Sequence, residues 1–443
     1  MSMESVTLVN LVPPLKSDKT VPGGPLYIAA VLEESGCHVD FRDYQMSTYE
    51  NPLDYHNIVK FLADSEDVIA IGCFFNVLPF LLPALQKIKD ETPEKTIILG
   101  GPGPSSVAER LMEAFPSIDI VVRGEGEHTI IELAQGAPYK DVKGIVFRSG
   151  ETVTITPPRE RIHTLDEIPF PAYDKIDLTK YDQAGVITAR GCPYKCTFCE
   201  VASLWGYHTE QRSVSNVMDE ITLLHDHGVT DFHINDDTFV LDRKWVLQFC
   251  NQLQNEMDIT WRCLGRINLM DSSLLSVMAQ SGCNGIQYGV ESGSEQVLQK
   301  IGKQISIPQI KDVISMSVQH MEHVISTFMW GFPFETMGDF YETIYMMGVL
   351  NEMGSLVKLL FLSPAPLSPL YREYKTQLQF DERFVPNVLW GIYEDKFSQE
   401  EKKKVFDLIF RYPEVFSAFY YIDTPEVEKK YGVLEQAGML QRQ

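Results

Sequence analysis

Three cysteines, Cys192, Cys196 and Cys199, lie on one short stretch of the chain with the spacing C-x3-C-x2-C. Three thiolates on one loop can bind three irons of a [4Fe-4S] cluster, and the fourth iron then stays open for another ligand. A structural zinc site needs four ligands, usually in C-x2-C pairs. The spacing therefore disfavours zinc, even with His208 nearby, and predicts an iron–sulfur cluster.

Polar side chains follow several of the predicted strands downstream of the cysteine loop. Asp236 and Asp237 can accept hydrogen bonds from an ammonium group, and Arg266 can pair with a carboxylate in a fork geometry. Glu291 and Ser292 can hold the hydroxyl groups of a ribose. Side chains of these types also cap helices or lie solvated in loops, and that alternative stays open here.

Glycine-rich turns end two of the predicted strands in the first third of the chain. Because glycine has no side chain, a flat or bulky ligand can approach the backbone at such turns. Taken alone, the glycines could equally close tight turns between a strand and a helix. The residues of the two turns are Gly100, Gly101 and Pro102, and then Gly124, Glu125, Gly126 and Glu127.

The elements around these residues predict an α/β protein. Strands and helices alternate through the first third, which predicts a doubly wound, Rossmann-like parallel sheet with its ligand beyond the carboxyl ends of the strands. A proline-rich stretch then predicts extended linker chain. From the cysteine loop onward, six strands with helices between them predict a partial (β/α)6 barrel. The predicted bounds are 1–146 for the sheet domain, 147–181 for the linker, 182–366 for the barrel and 367–443 for a small helical C-terminal cap.

The charge balance and the hydropathy exclude several classes of function. Lys and Arg number 38 against 61 Asp and Glu, so the formal net charge of −23 disfavours binding to a nucleic-acid backbone. No apolar run is long enough to cross a membrane, and the first residues lack the basic and apolar segments of a signal peptide. We therefore expect a cytoplasmic protein that contacts neither membrane nor nucleic acid.

The cysteine motif at the end of a predicted strand resembles the signature of the radical SAM superfamily. The first third is similar to the cobalamin-binding class of that family, in the two glycine turns and in the segment Pro22 to Leu32. This resemblance, to the methylases among others, extends over residues 5 to 365. It implies a [4Fe-4S] cluster on Cys192, Cys196 and Cys199, S-adenosyl-L-methionine (SAM) at the open iron, and cobalamin in the sheet domain.

The resemblance also implies which residues contact SAM and cobalamin. The loop after the third strand, with Phe74 and Asn76, is expected beside the lower face of cobalamin, together with the two glycine turns. No D-x-H-x-x-G motif is present, so no protein histidine is expected on cobalt. The implied SAM contacts are Asn235, Asp236 and Asp237 at the methionyl amine, Arg266 near the carboxylate, Glu291 and Ser292 at the ribose, and Gly331 near the adenine.

The activity that the resemblance implies is methylation of an unactivated carbon, with a second SAM remethylating the cobalt. The alternative within the family is a cyclase or ring-rearranging enzyme, similar to a tetrapyrrole cyclase, without methyl transfer. A non-catalytic sensor, or a radical SAM enzyme whose first domain binds nothing, also stays open. We expect a small-molecule or peptide substrate and an external one-electron reductant of the flavodoxin or ferredoxin type. No catalytic side chain is singled out.

Overall fold

A computed structural model describes residues 3–14, 19–385 and 389–440 of the chain. The chain divides into two compact units. The first unit consists of residues 1–182 with 385–419, and the second of residues 183–384 with 420–443. Among the residues described, no helix is both long enough and apolar enough to span a membrane.

A sheet of seven strands forms the centre of the first unit. The strands are β1 Ser5–Asn10, β2 His38–Asp43, β3 Val68–Gly72, β4 Thr96–Gly100, β5 Ile120–Val122, β6 Ile145–Ser149 and β7 Thr152–Ile155. The helices between them are α1 Gly23–Glu34, α2 Tyr55–Phe61, α3 Leu78–Glu91, α4 Pro102–Ser106, α5 Ala108–Ala114 and α6 Glu127–Ala134. The strand order is β2-β1-β3-β4-β5-β6-β7. Strands β1 to β5 are parallel, and β6 and β7 are antiparallel to their neighbours.

The central strands of this sheet are buried on both faces, as their continuous apolar runs predict. Val9, Ile69, Ile97 and Leu99 are each 0% exposed. Helices cover both faces of such a sheet, so its ligand crevice lies outside the carboxyl ends of the strands. The strand order turns back at β1, which lies between β2 and β3. The prediction of a doubly wound parallel sheet is confirmed.

Strands β6 and β7 extend this sheet past residue 146, the predicted end of the sheet domain. Gly150 closes the turn between them with φ of +60°. The segment Thr152–Ile155 is β-branched throughout, and it pairs with β6 in antiparallel register. The predicted boundary is therefore too early, because the prolines that suggested a linker start only after β7.

A second sheet, of six parallel strands, forms the centre of the second unit. The strands of this unit are β8 Ala184–Val186, β9 Ala189–Arg190, β10 Glu210–Gln211, β11 Asp231–Ile234, β12 Thr260–Gly265, β13 Cys283–Glu291, β14 His323–Trp330, β15 Leu356–Phe361, β16 Leu378–Gln379 and β17 Tyr421–Ile422. The helices up to residue 384 are α7 Val201–Trp205, α8 Val214–Asp226, α9 Arg243–Glu256, α10 Ser272–Gln280, α11 Glu295–Lys300, α12 Ile307–His320, α13 Met337–Glu352 and α14 Pro369–Tyr374. The sheet order is β15-β14-β13-β12-β11-β8, which confirms the partial (β/α)6 barrel.

The C-terminal residues, predicted as one helical cap, divide between the two units. Helix α15 Gln399–Arg411 belongs to the first unit, and its Phe406 packs on Trp390, whose ring lies 5.6 Å from that of Phe80 in α3. Helix α16 Val427–Gln436 belongs to the second unit. The single-cap prediction differs from the structure because the apolar faces of these helices are buried in two separate cores.

Candidate functional site

The three cysteines of the C-x3-C-x2-C motif lie on the loop between β9 and α7. Cys196 is buried, and Cys192 and Cys199 are half-buried. All eight cysteines fall within the described residues, and all are free thiols. Burial, with smaller contributions from charge on Cys196 and Cys192, raises the pKa of the Cys199 thiol to about 11. The raised pKa disfavours the thiolate form of Cys199, which a bound cation or cluster would stabilise.

The donor set of this loop fits a cluster better than a single ion. Within the described part of the chain, no group of three or more His, Cys, Asp and Glu side chains is arranged to hold one metal ion. In a [4Fe-4S] cluster each cysteine binds a different iron, so its thiolates stand further apart than the ligands of one ion. Three thiols, with no fourth ligand grouped beside them among the described residues, match a cluster with one open iron.

Two aspartates after β11 hold the start of the cysteine loop. Asp236, 2% exposed, accepts hydrogen bonds from the Thr188 N–H at 2.7 Å, the Thr188 hydroxyl and the Ala189 N–H at 3.0 Å. Burial raises the pKa of the Asp236 carboxyl to about 6, against the opposing effect of these hydrogen bonds. Asp237 accepts from the Gly191 N–H at 3.0 Å. Both aspartates thus position the chain that leads into Cys192.

Gly191 is required at the entrance of the loop for a steric reason. Its φ is +103°, and a Cβ there would lie 2.2 Å from the His208 carbonyl oxygen. No side chain fits at such a distance, so the chain can turn here only with glycine. The next residue, Cys192, has its Sγ 3.6 Å from Thr238 Oγ1.

Arg266, at the end of β12, lies against the cysteine loop and is 6% exposed. Its guanidinium carbon lies 3.4 Å from the ring centroid of Tyr194, and its Nη1 lies 3.9 Å from Cys196 Sγ. Its Nη2 donates to the Lys303 carbonyl. Its Nε is buried with no hydrogen-bond partner among the described residues. A fixed positive charge and one unused donor therefore lie beside the predicted cluster, which fits an anionic ligand such as a carboxylate.

Glu291 and Ser292, at the end of β13, have different surroundings. Glu291 has a φ of +69° and accepts from Lys303 Nζ at 2.7 Å. A Cβ at Gly289 would lie 2.2 Å from Glu291 Oε1, so the carboxylate lies over bare backbone. Ser292 is 0% exposed, and its hydroxyl lies 3.0 Å from Thr343 Oγ1 in α13. The Glu291 carboxylate lies over Gly289, where the strand has no side chain. The Ser292 hydroxyl, in contrast, is buried and contacts Thr343 of the protein itself.

The remaining predicted SAM contacts, Asn235 and Gly331, follow β11 and β14. Asn235 is exposed, and its Oδ1 lies 2.6 Å from His233 Nδ1. Gly331 has a φ of +96°, and a Cβ there would lie 2.6 Å from the Phe361 ring. A side chain at Gly331 would therefore displace the aromatic ring, and the tight turn requires glycine.

Two residues that contact Arg266 and Glu291, namely Lys303 and Tyr194, are not among the residues predicted from the sequence. Lys303 joins Arg266 through its carbonyl and Glu291 through its ammonium group, and Tyr194 supports the guanidinium of Arg266. The position of Tyr194 inside the cysteine motif was a usable signal. Lys303 has none in the local pattern, because it reaches the loop only where α11 ends. There, the Ile301 carbonyl accepts from the Thr197 N–H at 3.0 Å.

In the first unit, the predicted cobalamin residues follow β3, β4 and β5, which are neighbours in the sheet. Phe74, after β3, is 54% exposed. Gly101, after β4, has a φ of +89°, and a Cβ there would lie 2.9 Å from the Cys73 carbonyl oxygen. Gly124, after β5, has a φ of +75° and open space around it. An exposed aromatic ring and bare backbone on adjacent strand ends fit a flat, largely apolar ring system.

The two glutamates of the second glycine turn, Glu125 and Glu127, are in contact with the protein or buried in it. Glu125 Oε2 accepts from the Ile162 N–H at 2.8 Å and lies 4.0 Å from Arg161 Nε. Glu127 is buried at the start of α6. A Cβ at Gly126 would approach the Ile28 side chain to 3.0 Å. The other predicted residues of this edge are half-buried Asn76 and Gly100 and exposed Pro102.

Comparison with known protein families follows the same division of the chain. Residues 186–347 match the model of the radical SAM superfamily, and residues 18–134 match that of the B12 binding domain. The chain is a radical SAM enzyme with a B12-binding domain. The predicted cofactors, a [4Fe-4S] cluster, SAM and cobalamin, are confirmed by these two domains. Enzymes of this superfamily act with SAM on small-molecule or peptide substrates.

Relatives of this radical SAM enzyme include methyltransferases and a cyclase. It is 31% identical over 304 residues to an uncharacterized methyltransferase of Pyrococcus horikoshii, covering 66% of each chain. It is 24% identical to the anaerobic magnesium-protoporphyrin IX monomethyl ester cyclase of Cereibacter sphaeroides, over 81% of this chain and 61% of that protein. The radical SAM methyltransferase TsrM of Kitasatospora setae, solved with tryptophan and a SAM analogue, has the same fold. The TM-score is 0.75 at 17% identity, covering 99% of this chain and 89% of that one. The methyltransferases support methyl transfer better than cyclisation.

Proposed function

We propose that this radical SAM enzyme transfers a methyl group to an unactivated carbon of a small-molecule or peptide substrate. The observation that carries the proposal is the pairing, in one chain, of a buried cysteine loop with a B12-binding sheet whose strand ends present Phe74, Gly101 and Gly124. The methyltransferases among its relatives support the same reaction. We place the enzyme in the cytoplasm, where an external one-electron reductant of the flavodoxin or ferredoxin type is expected to serve it.

The residues of the second unit divide into ligands and supports. Cys192, Cys196 and Cys199 would hold the cluster. When bound, the cluster, SAM and cobalamin supply the one-electron and methyl-transfer chemistry that side chains lack. Arg266, with its unused Nε–H, would bind the carboxylate of SAM while Nη1 stays on Cys196. Glu291 would accept from a ribose hydroxyl, held in place by Lys303.

The other predicted SAM contacts have supporting roles in this proposal. Asp236 acts through Thr188 and Ala189 on the cysteine loop, because all the hydrogen bonds seen at its oxygens come from those residues. Ser292 acts through Thr343 on the turn after β13. Asp237 contacts the cysteine loop at Gly191, and it would line the SAM site together with Asn235 and Gly331 at the ends of β11 and β14.

Water must be kept from the reacting carbon, and aromatic side chains around the loop serve that purpose. The ring of Phe198, inside the cysteine motif, lies 6.0 Å from that of Phe332, which is 0% exposed. Phe332 stacks in turn on Phe334 with ring centroids 5.8 Å apart. This apolar wall would protect reactive species at the cluster loop from side reactions with solvent.

A second candidate function, cyclisation without methyl transfer, is favoured by the cyclase relative, which aligns over 81% of the chain. The two functions differ in one product, since only methylation converts SAM to S-adenosylhomocysteine. Incubation with methyl-deuterated SAM, reductant and candidate substrates would show a labelled product and S-adenosylhomocysteine if methyl transfer is correct.

Metal and corrinoid content provides the first test of the proposal. After anaerobic reconstitution with iron, sulfide and hydroxocobalamin, followed by gel filtration, we expect about four irons and one cobalt per chain. Four irons without cobalt would overturn methyl transfer through cobalamin and leave a radical SAM enzyme of another reaction type. Loss of both would overturn the whole assignment.

A further inference from the structure

Two oppositely charged side chains are fully buried in the second unit, and neither belongs to the candidate site. Lys430 in α16 and Glu335, after β14, are each 0% exposed at the side chain. Lys430 Nζ donates to Glu335 Oε2 at 2.9 Å and to the Glu335 carbonyl at 2.6 Å. Burying such a pair costs desolvation energy that its mutual attraction often fails to recover. The pair therefore needs an explanation beyond stability.

Glu335 connects this ion pair to the Gly331 turn. The Gly331 N–H donates to Glu335 Oε2 at 3.1 Å, and the Glu335 N–H donates to the Phe332 carbonyl at 3.1 Å. One carboxylate oxygen thus accepts from both Lys430 and Gly331. The C-terminal helix is thereby attached to the end of β14, where the chain turns with positive φ.

Helix α16 also makes apolar contacts in the second unit, apart from the ion pair. Val427 and Leu434 pack with buried aromatic side chains from β14, α13 and β17. An apolar pair of similar volume at the two charged positions is therefore expected to pack as well. Glu335 Oε1 is also buried without a partner among the described residues. The charges are kept despite these costs, and what they add is a defined position for the Gly331 turn.

We propose that Lys430 is a positioning residue for SAM binding, which acts through Glu335 on the Gly331 turn. The proposal rests on the proposed function, because it takes the Gly331 turn as the adenine side of the SAM site. It assigns the C-terminal helix a role in cofactor binding although the helix lies more than sixty residues beyond the last barrel strand.

The test compares SAM binding with folding in three variants of the reconstituted full-length enzyme. Lys430→Met leaves the Glu335 carboxylate buried without its cation. The double variant Glu335→Met, Lys430→Met removes both charges and the acceptor for the Gly331 N–H at similar volume, with apolar packing in their place. Lys429→Met changes the neighbouring lysine, whose side chain is 63% exposed, and is the matched control. The dissociation constant for SAM is measured by calorimetry, and iron content and thermal unfolding are measured in parallel.

We expect the dissociation constant for SAM to rise about tenfold or more in both Lys430 variants, with iron content unchanged. The double variant should unfold at or above the wild-type temperature and still bind SAM weakly, which separates positioning from stability. Lys430→Arg should recover part of the affinity. If the double variant binds SAM as the wild type does, the inference is wrong while the proposed function stands. If wild-type enzyme with four irons fails to bind SAM, the proposed function itself is overturned, and this inference with it.

Discussion

The carboxyl ends of the strands, which carry the predicted sites, are stabilised differently in the two units. We call each set of strand ends the edge of its unit. At the edge of the second unit, the cysteine loop is held by charged side chains, with Asp236 and Asp237 on its backbone and Arg266 on Cys196. At the edge of the first unit, the glycine turns are held by backbone packing, as at Gly101 over the carbonyl of Cys73. Charged side chains in fixed positions stabilise an iron–sulfur cluster and a charged ligand such as SAM. A large flat ring such as that of cobalamin instead needs backbone without side chains in its way.

Because of this difference, we expect a change of charge to matter at the edge of the second unit and a change of size at the edge of the first. Neutral substitutions are expected to damage the second edge, and added methyl groups are expected to damage the first. Four substitutions test this comparison, first by their effect on bound cofactor and then by their effect on stability and on redox potential.

The largest effect is expected for Cys196→Ala. Removing one of three thiolates leaves the cluster with two protein ligands, so iron should fall from about four per chain to near zero after reconstitution. Cobalt content should stay at the wild-type level, because the B12-binding sheet has its own core. Cys37→Ala, on the first unit, is the control and should retain iron. Loss of cobalt together with iron would show that the two edges are not independent.

Gly101→Ala tests the edge of the first unit in the same way. The new methyl group would lie 2.9 Å from the Cys73 carbonyl oxygen, so the turn must shift. We expect bound cobalt to fall about tenfold while iron is retained, which corresponds to ~1.4 kcal/mol of binding free energy. Gly36→Ala has nearly the same φ, +86°, with open space around it, and is a matched control for backbone strain alone. Equal loss of cobalt in both variants would contradict a role for the close approach at Gly101.

Asp236 predicts a pH dependence of stability at the second edge. Its pKa of about 6 in the folded chain exceeds the value of ~3.9 for an unfolded one, so the folded state binds this proton more tightly. The stabilising contribution is present below about pH 4 and is lost as the pH rises through about 6, and the difference of two pKa units corresponds to about 3 kcal/mol.

Urea unfolding of Asp236→Asn between pH 4 and 7 checks this expectation. The variant lacks the titrating group, so its free energy of unfolding should lose that part of the pH dependence. Asp226→Asn, at the exposed end of α8, should keep the wild-type profile. A wild-type profile in Asp236→Asn would show that the buried carboxylate does not titrate in this range.

The smallest effect is expected for Arg266→Met. A positive charge beside Cys196 favours the reduced, more negative state of the cluster. Its removal should make the midpoint potential more negative by on the order of tens of millivolts, measured by redox titration followed by electron paramagnetic resonance. Arg266→Lys should recover part of the shift. Arg262→Met, four residues earlier and within β12, should leave the potential unchanged.

Much of the fold and of the cluster site could be predicted from local sequence. The apolar runs of β1, β3 and β4 indicate a buried parallel sheet, and the spacing of Cys192, Cys196 and Cys199 indicates a cluster because all three ligands come from one loop. Part of the hairpin of β6 and β7 lies in the predicted linker, because β7 alternates Thr with Val and Ile and prolines follow it closely.

The partners of the charged residues required the tertiary structure. Local sequence places Asp236, Glu291 and Ser292 at strand ends, where a ligand is expected. It does not show that Asp236 binds Thr188, that Glu291 pairs with Lys303 or that Ser292 meets Thr343, because these partners lie between 12 and 51 positions away. A carboxylate that is buried with partners from the protein is not available to a ligand in the same way as an exposed one.

The sequence by itself determined the cofactor chemistry, because the cysteine motif and the glycine turns are short and continuous. The tertiary structure alone decided how the charges around that chemistry are paired. Lys430 and Glu335 are 95 positions apart, and only the packing of α16 on the second unit brings them together. The physical reason is one of range along the chain. Thiolate ligands and glycine turns do their work within one short segment, whereas a buried charge needs a partner of opposite charge that only the fold brings to it.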